Sequence, residues 1–317
     1  MTKTEEKTFI NKNNLSISSK GSKKVKSPIE DRIYYTVIYT LLIFILLIVL
    51  YPLVYIVSAS FSSPEAVTSG KVVLFPVSPS LAGYKAVFKY KDVFIGYRNT
   101  FFYTIVGTAV NVAMTLMTAY PLSRKTLPGK GFFTFLFTFT MLFSGGMIPN
   151  YMLMKQLHLL NTPWVMIIPG AIGVTNLIIT RTFMQSNIPQ DLLEAAQIDG
   201  CSDFKYFFSV VLPLSQANIA VITLYYAVGH WNSYFNAFLF LSNKRLFPLQ
   251  LFLRDILLLS QIDSNSVANQ DTLVAVHGLA DLLKYSLIVV ATVPILCLYP
   301  FVQRYFVKGV MIGSLKG

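Results

Sequence analysis

The chain has 317 residues, 54% of them hydrophobic and only 13% charged, with a mean hydropathy of +0.57 and a formal net charge of +12. A soluble domain carries roughly a quarter charged residues, so the composition argues against a soluble enzyme or a nucleic-acid binder, and 14% aromatic residues exclude disorder over most of the length. In so apolar a chain the positive charge reads as lysine and arginine held at the cytoplasmic face of a membrane.

A helical bilayer span needs about 20 apolar residues. Six windows free of Asp, Glu, Lys and Arg are long enough: 33–64, 99–123, 131–154, 156–180, 206–243 and 285–303. A further uncharged stretch, 72–84, is short and broken by Pro76 and Pro79. Soluble helices need a polar face, and at least four of the six windows lack one. The expected fold is therefore all-α, a polytopic membrane protein with six transmembrane helices.

In chain order, residues 1–32 form a polar tail with eight basic side chains, the last of them Arg32 beside the first window. This places the N-terminus in the cytoplasm and marks a tail of disordered composition. No short apolar core precedes a small-residue cleavage site, so the first window reads as an uncleaved anchor. The six-helix domain spans 33–306, and 307–317 is a cytoplasmic C-terminal tail. The first outside loop, about 65–97, holds LFPVSPSLAGYKAVF: prolines for turns, then a short amphipathic helix. The connection RKTLPGKG, with Arg124, Lys125 and Lys130, suits an inside loop. Arg181, at the end of the fourth window, snorkels to the interface or anchors the segment after it.

The inside segment 184–215 reads SNIPQDLLEAAQIDGCSDFKYFFSVVLPLS from Ser186. Pro189 and Asp191 suit a helix start. Gly200 permits the left-handed residue that ends it, Ser202 is an N-cap, and a second helix over FKYFFSVVL stops near Pro213. On residue physics alone this is a helix–turn–helix on the cytoplasmic face, either a plain amphipathic connector or a docking element.

In the fifth window, a continuous helix at 100° per residue gathers Leu224, Ala227, Val228, Trp231, Phe235, Phe238 and Leu239 on one arc, toward lipid or neighbouring helices. The other side collects Tyr225, Gly229, Asn232 and Asn236, with Tyr226, His230, Ser233 and Tyr234 adjoining. A polar side within a membrane must meet water, protein or substrate. Amides, hydroxyls and aromatic faces are what a sugar needs, so the set reads as a pathway lining or as interhelical hydrogen bonding that packs the bundle.

The spacing Glu194-Ala195-Ala196, three residues, Gly200, nine residues, Val210-x-Leu212-Pro213 resembles the EAA loop of the integral membrane subunits of bacterial ABC importers, with valine in place of isoleucine. Asp199, Phe75-Pro76 with Tyr84, Asn99-Thr100, the stretch Gly229 to Asn236 and the tail KGVMIGSLKG are similar to the carbohydrate branch of maltose-type inner-membrane permeases, closest to its LplC-like group. The resemblance covers the chain from about residue 30 onward. It implies a type I ABC importer permease fold in a bacterial cell membrane, with both termini cytoplasmic. It implies a homologous second permease, an extracytoplasmic solute-binding protein that delivers an oligosaccharide, and a cytoplasmic ABC ATPase dimer that binds ATP and Mg and docks on Glu194, Ala195, Ala196, Asp199 and Gly200. The outside loop 242–281 would reach the binding protein, with Gln250, Arg254, Asp255 and Gln261 as polar contacts.

No catalytic constellation competes with this reading. Gly129-Lys130 lacks the rest of a P-loop, and His158, His230 and His277 have no metal spacing. Cys201 and Cys297 fit neither a disulfide framework nor a zinc site. The chain is expected to be a transport subunit, with no catalytic residue, cofactor or metal of its own and no nucleic-acid partner. Two alternatives remain at this stage. One is an ABC permease for a non-sugar solute such as a peptide. The other is a secondary transporter without an ATPase, which would usually show an intramembrane carboxylate, and none of the six windows holds one.

Overall fold

A computed structural model describes residues 29–259, 283–297 and 300. Contacts divide the chain into two units, Met1–Leu50 and Tyr51–Gly317. The described part of the first unit is the leading portion of helix α1 (Ile29–Ser60), a run of Leu, Ile and Tyr with no polar face and with its large side chains exposed.

The regular elements of the second unit are all helices among its described residues. The end of α1 leads through α2 (Pro64–Thr68) and α3 (Ala82–Lys89) into α4 (Lys91–Ser123). Ser63 caps α2 by accepting from the Ala66 amide. α3 falls where the sequence predicts the short amphipathic helix. α4 starts eight residues before the charge-free window, with Lys91 and Asp92 in its first turn.

α4 is the axis of the unit. Along it lie α7 (Val174–Asn187), α11 (Gln216–Trp231) and α13 (Leu249–Leu259). Its small and hydroxyl residues Gly96, Thr100, Thr104, Gly107, Thr108, Asn111 and Thr115 are buried, so neighbours approach closely. One apolar core joins Leu116, Ala119 and Leu122 of α4 to Leu177, Met184, Tyr206, Phe207, Val211 and Ile222. A second surrounds Tyr103, Met154, Ile167, Ala237, Phe240 and Leu251. At the other end, Asn99 donates to the Arg245 and Phe247 carbonyls at 2.8 and 3.0 Å, Tyr103 donates to Leu246 O at 2.8 Å, and Thr100 accepts from the Leu249 amide at 2.9 Å. The chain before α13 is thus tied to α4 by side chains that replace regular backbone pairing.

Not all of the six expected spans are continuous helices. Among the described residues, α1 and α4 are long and apolar enough to cross a membrane, and there are up to four spans if each bent pair counts as one. Window 131–154 is α5 (Lys130–Leu142) and α6 (Met147–Gln156), which meet at 114°. The break is Ser144-Gly145-Gly146, with Gly146 at φ +86, a conformation open to glycine and unfavourable for L side chains. Window 156–180 contains a 3-10 turn at Pro163–Met166, and α7 begins only at Val174, because Pro163, Pro169, Gly170 and Gly173 deny a continuous helix.

Window 206–243 divides as well. α9 (Asp203–Tyr206) runs through a π turn (Phe207–Val211) into α10 (Leu212–Leu214), and α11 follows at 80°. Pro213 lies one residue before the second helix ends at Leu214, so that helix stops near where the sequence predicts. Pro213 lacks an N–H, and the turn widens just before it. α11 ends at Trp231 and α12 spans Phe235–Phe240. The last window carries α14 (Leu283–Cys297), a shorter apolar helix. Lys284 lies over the Tyr285 ring at 5.3 Å, and Asp281 is outside the described residues.

Candidate functional site

Two features stand apart from the packed helices. The first is the segment after α7. α8 (Gln190–Ile198) begins one residue after Pro189, which is its N-cap, and it ends at Asp199. Gly200 follows at φ +72, the left-handed stop that the sequence predicts. Its amide donates to Gln197 O at 3.0 Å, and the Cys201 amide donates to Ala196 O at 2.8 Å. Ser202 then caps α9 through the Lys205 amide.

Leu193 is buried against the core, whereas Glu194, Ala195, Asp199 and Gly200 are exposed and Ala196 is half-buried. Gln190 donates to Glu194 Oε1 at 3.2 Å, which steers the carboxylate without neutralising it. Sequence reasoning missed two apolar members of this surface: Ile198 is 87% exposed and Phe204 82% exposed. Their helical placement hid them, since each reads as an ordinary packing residue. The exposed pair therefore adds apolar area beside the small residues and the carboxylate of α8.

The second feature is a polar cavity of about 310 Å³ bordered by α4, α6, the 163–170 turn, α11 and α12. Asn111, Asn150, Tyr225, Tyr226, His230, Ser233 and Asn236 supply its polar lining, with Gly229, Pro169, Gly170 and Phe240 beside them. His230 Nε2 lies 2.6 Å from Asn111 Oδ1, and Asn111 Nδ2 donates to the Gly170 carbonyl. Tyr226 OH pairs with Thr115 Oγ1 at 2.7 Å and accepts from the Gly173 amide at 3.0 Å. These bonds satisfy the backbone where the helix is interrupted, which a membrane setting requires. Gly107 makes the arrangement possible: a Cβ there would stand 2.5 Å from the His230 ring.

The continuous-helix wheel is corrected by this geometry. Asn232 is the C-cap of α11, exposed, with Nδ2 donating to Val228 O at 3.0 Å. Tyr234 is exposed and packs edge-on against Phe235, with ring centroids 6.3 Å apart. Neither borders the cavity, whereas Ser233 and Asn236 of the same stretch do. Trp231 does face neighbouring helices, buried, with its indole N–H on Ala291 O at 3.0 Å. Asn111 and Asn150 border the cavity and were missed. Both are asparagines within charge-free windows, so a search of every window for amides would have found them. A second cavity of about 530 Å³ at the α5–α6 break shares Asn150, Asn236 and Phe240 with the first.

The segment expected as a binding-protein loop contains α13. Gln250 is half-buried on it, and Arg254 lies over the Phe238 ring at 4.2 Å and pairs with Asp255 at 3.4 Å. Gln261 lies outside the described residues.

The family model described as "Binding-protein-dependent transport system inner membrane component" matches residues 18–312. The chain belongs to that family. Two curated relatives of this permease component come from Bacillus subtilis (strain 168). The polygalacturonan/rhamnogalacturonan transport system permease protein YtcP is 40% identical over 297 residues, 91% of this chain and 100% of the relative. Protein LplC is 41% identical over 266 residues, 84% of this chain and 89% of the relative. Among solved structures, a bacterial ABC transporter involved in the import of the acidic polysaccharide alginate matches with a TM-score of 0.79 and 34% identity, over 88% of this chain and 99% of that one. The fold is accordingly that of an ABC importer permease.

Proposed function

We propose that the chain forms half of the translocation pathway of an ATP-driven importer for an oligosaccharide, with chains of acidic sugars as the favoured cargo. The observation that carries this reading is the polar cavity, where amide, hydroxyl and aromatic side chains converge within an otherwise apolar helical unit. The names of the polygalacturonan/rhamnogalacturonan permease and of the alginate importer support the sugar class. In this reading Tyr225, Tyr226, His230 and Asn236, with Asn111 and Asn150, line the route, while Asn232 and Tyr234 fix the backbone break beside it.

The chain has no catalytic role here. ATP and Mg bind separate ATPase subunits, which dock on Glu194, Ala195, Ala196, Asp199 and Gly200 with Ile198 and Phe204. A homologous permease encloses the other half of the route, and a binding protein delivers cargo near Gln250, Arg254, Asp255 and Gln261. We read the chain as six spans, some of them broken, over 33–306, with the 1–32 and 307–317 tails in the cytoplasm. The test is reconstitution of the complete complex with its binding protein in liposomes. ATP-dependent uptake of labelled oligogalacturonides is expected. Uptake of a peptide or of a free ion, with none of any oligosaccharide, would overturn the cargo assignment.

A further inference from the structure

The docking segment must be held by something if its movement is to reach the cavity. α8 is poorly placed for this. Its first turn and Leu193 face a cavity of about 200 Å³, bordered on the other side by Tyr120, Ser123, Arg124, Lys125 and Thr126. α9 is different. Tyr206, its last residue, is fully buried, and its ring lies under the Arg124 guanidinium at 4.9 Å. The same guanidinium lies over the Tyr120 ring of α4 at 4.5 Å, and Nη2 donates to the Tyr120 hydroxyl at 2.7 Å.

Three side chains hold the turn that carries Arg124. Lys130 Nζ donates to Arg124 O at 3.1 Å, Arg181 Nε to Leu122 O at 3.2 Å, and Gln185 Nε2 to Ser123 O at 3.3 Å. Phe207, which follows Tyr206, packs on Tyr120 at 5.0 Å. α4 then runs from this turn to Thr115 and Asn111, which hold Tyr226 and His230 at the polar cavity.

We propose that Arg124 is the coupling clamp: a guanidinium gripped between Tyr120 and Tyr206 that transmits displacement of the docking segment into α4 and so to the cavity. Arginine suits the role because a flat cation can stack on two aromatic faces at once, whereas a lysine ammonium presents a point charge. Arg124 is a positioning residue and touches no cargo. The proposal rests on the docking reading above.

The experiment uses the assembled complex and follows amide hydrogen exchange with and without a non-hydrolysable ATP analogue, alongside sugar taken up per ATP hydrolysed. In the wild type, ATP should change exchange both in 190–198 and in 115–123. Arg124→Ala should keep the response in 190–198, lose it in 115–123, and lower uptake per ATP at least tenfold. Arg124→Lys should give an intermediate ratio. Tyr206→Phe should keep the wild-type ratio, because it retains the ring and the Tyr206 hydroxyl has no hydrogen-bond partner to lose. If Arg124→Ala does not assemble, the lysine and phenylalanine variants decide by the same readouts. Equal responses in 115–123 for wild type and the arginine variants, or an unchanged ratio with only lower yield, would overturn the clamp alone. No ATP response in 190–198 of the wild type would overturn the docking reading, and the clamp with it.

Discussion

The contact between Gly107 and His230 gives the sharpest test of the cavity geometry. A methyl group placed at Gly107 stands 2.5 Å from two atoms of the His230 ring, where ordinary contact begins at 3.4 Å. The ring cannot retreat freely, because Nε2 is held 2.6 Å from Asn111 Oδ1 and Asn111 is itself tied to the Gly170 carbonyl. Gly107→Ala must therefore overpack the site, typically ~1–3 kcal/mol, and weaken an interhelical hydrogen bond worth ~0.6–2 kcal/mol in a membrane. The expected loss is about 1.6–5 kcal/mol by that addition. The assay is a double-mutant cycle on the purified complex, measured by unfolding in mixed micelles. His230→Ala removes the ring, so adding Gly107→Ala to it should cost less than ~0.5 kcal/mol more, giving a coupling of at least ~1.1 kcal/mol. Additive effects of the two substitutions would refute the contact and the packing of α11 on α4 at this level.

Three further outcomes follow from the same coordinates. Nothing lies within 4 Å of a Cβ at Gly200, so only its φ of +72 opposes substitution; Gly200→Val should lose ATPase co-purification, Gly200→Asn should retain most of it because Asn tolerates this conformation, and equal behaviour of the two would contradict the turn geometry. Asn150→Leu combined with Asn236→Leu should lower oligosaccharide uptake at least tenfold while the complex still assembles, since both amides border the two cavities; wild-type uptake would remove them from the route. Trp231→Ala should destabilise the complex by ~3–5 kcal/mol, whereas Trp231→Phe should cost only about 1 kcal/mol, the worth of the lost bond to Ala291 O; equal losses by thermal unfolding would show that ring packing is not what Trp231 supplies.

The helix–turn–helix around Gly200 was legible because its signals are local. Gly200 and Ser202 each act within a few residues, and both do in the structure what their side chains predict. The same holds for α3, whose short amphipathic pattern needs no distant partner. The breaks were not legible from hydropathy. A charge-free run says that side chains tolerate lipid, but it does not say that the backbone is continuous. Gly145-Gly146, Pro163 and Pro169-Gly170 were all visible, yet the windows that contain them still read as straight spans. Irregular backbone is tolerated at membrane depth where it is buried in protein or lines a cavity, so a cluster of helix breakers in an apolar window points to a site rather than to a poorer helix.

That argument also accounts for the fifth window. A straight helix would place Tyr225 and Asn236 on one side by periodicity, but about 16 Å apart along the axis at 1.5 Å per residue. The structure brings both to one cavity by ending α11 at Trp231 and restarting at Phe235. Asn232 closes the first helix with its own amide on Val228 O, the competition with regular helix that short polar side chains offer. His230 and Tyr226, one turn earlier, secure α4 and the Gly170–Gly173 interruption instead of projecting freely. The polar residues of this window therefore divide their work. Some hold broken backbone in place, and the breaks in turn bring the remaining amides and hydroxyls around a common space. A helical period alone could sort these residues by side, but not by task.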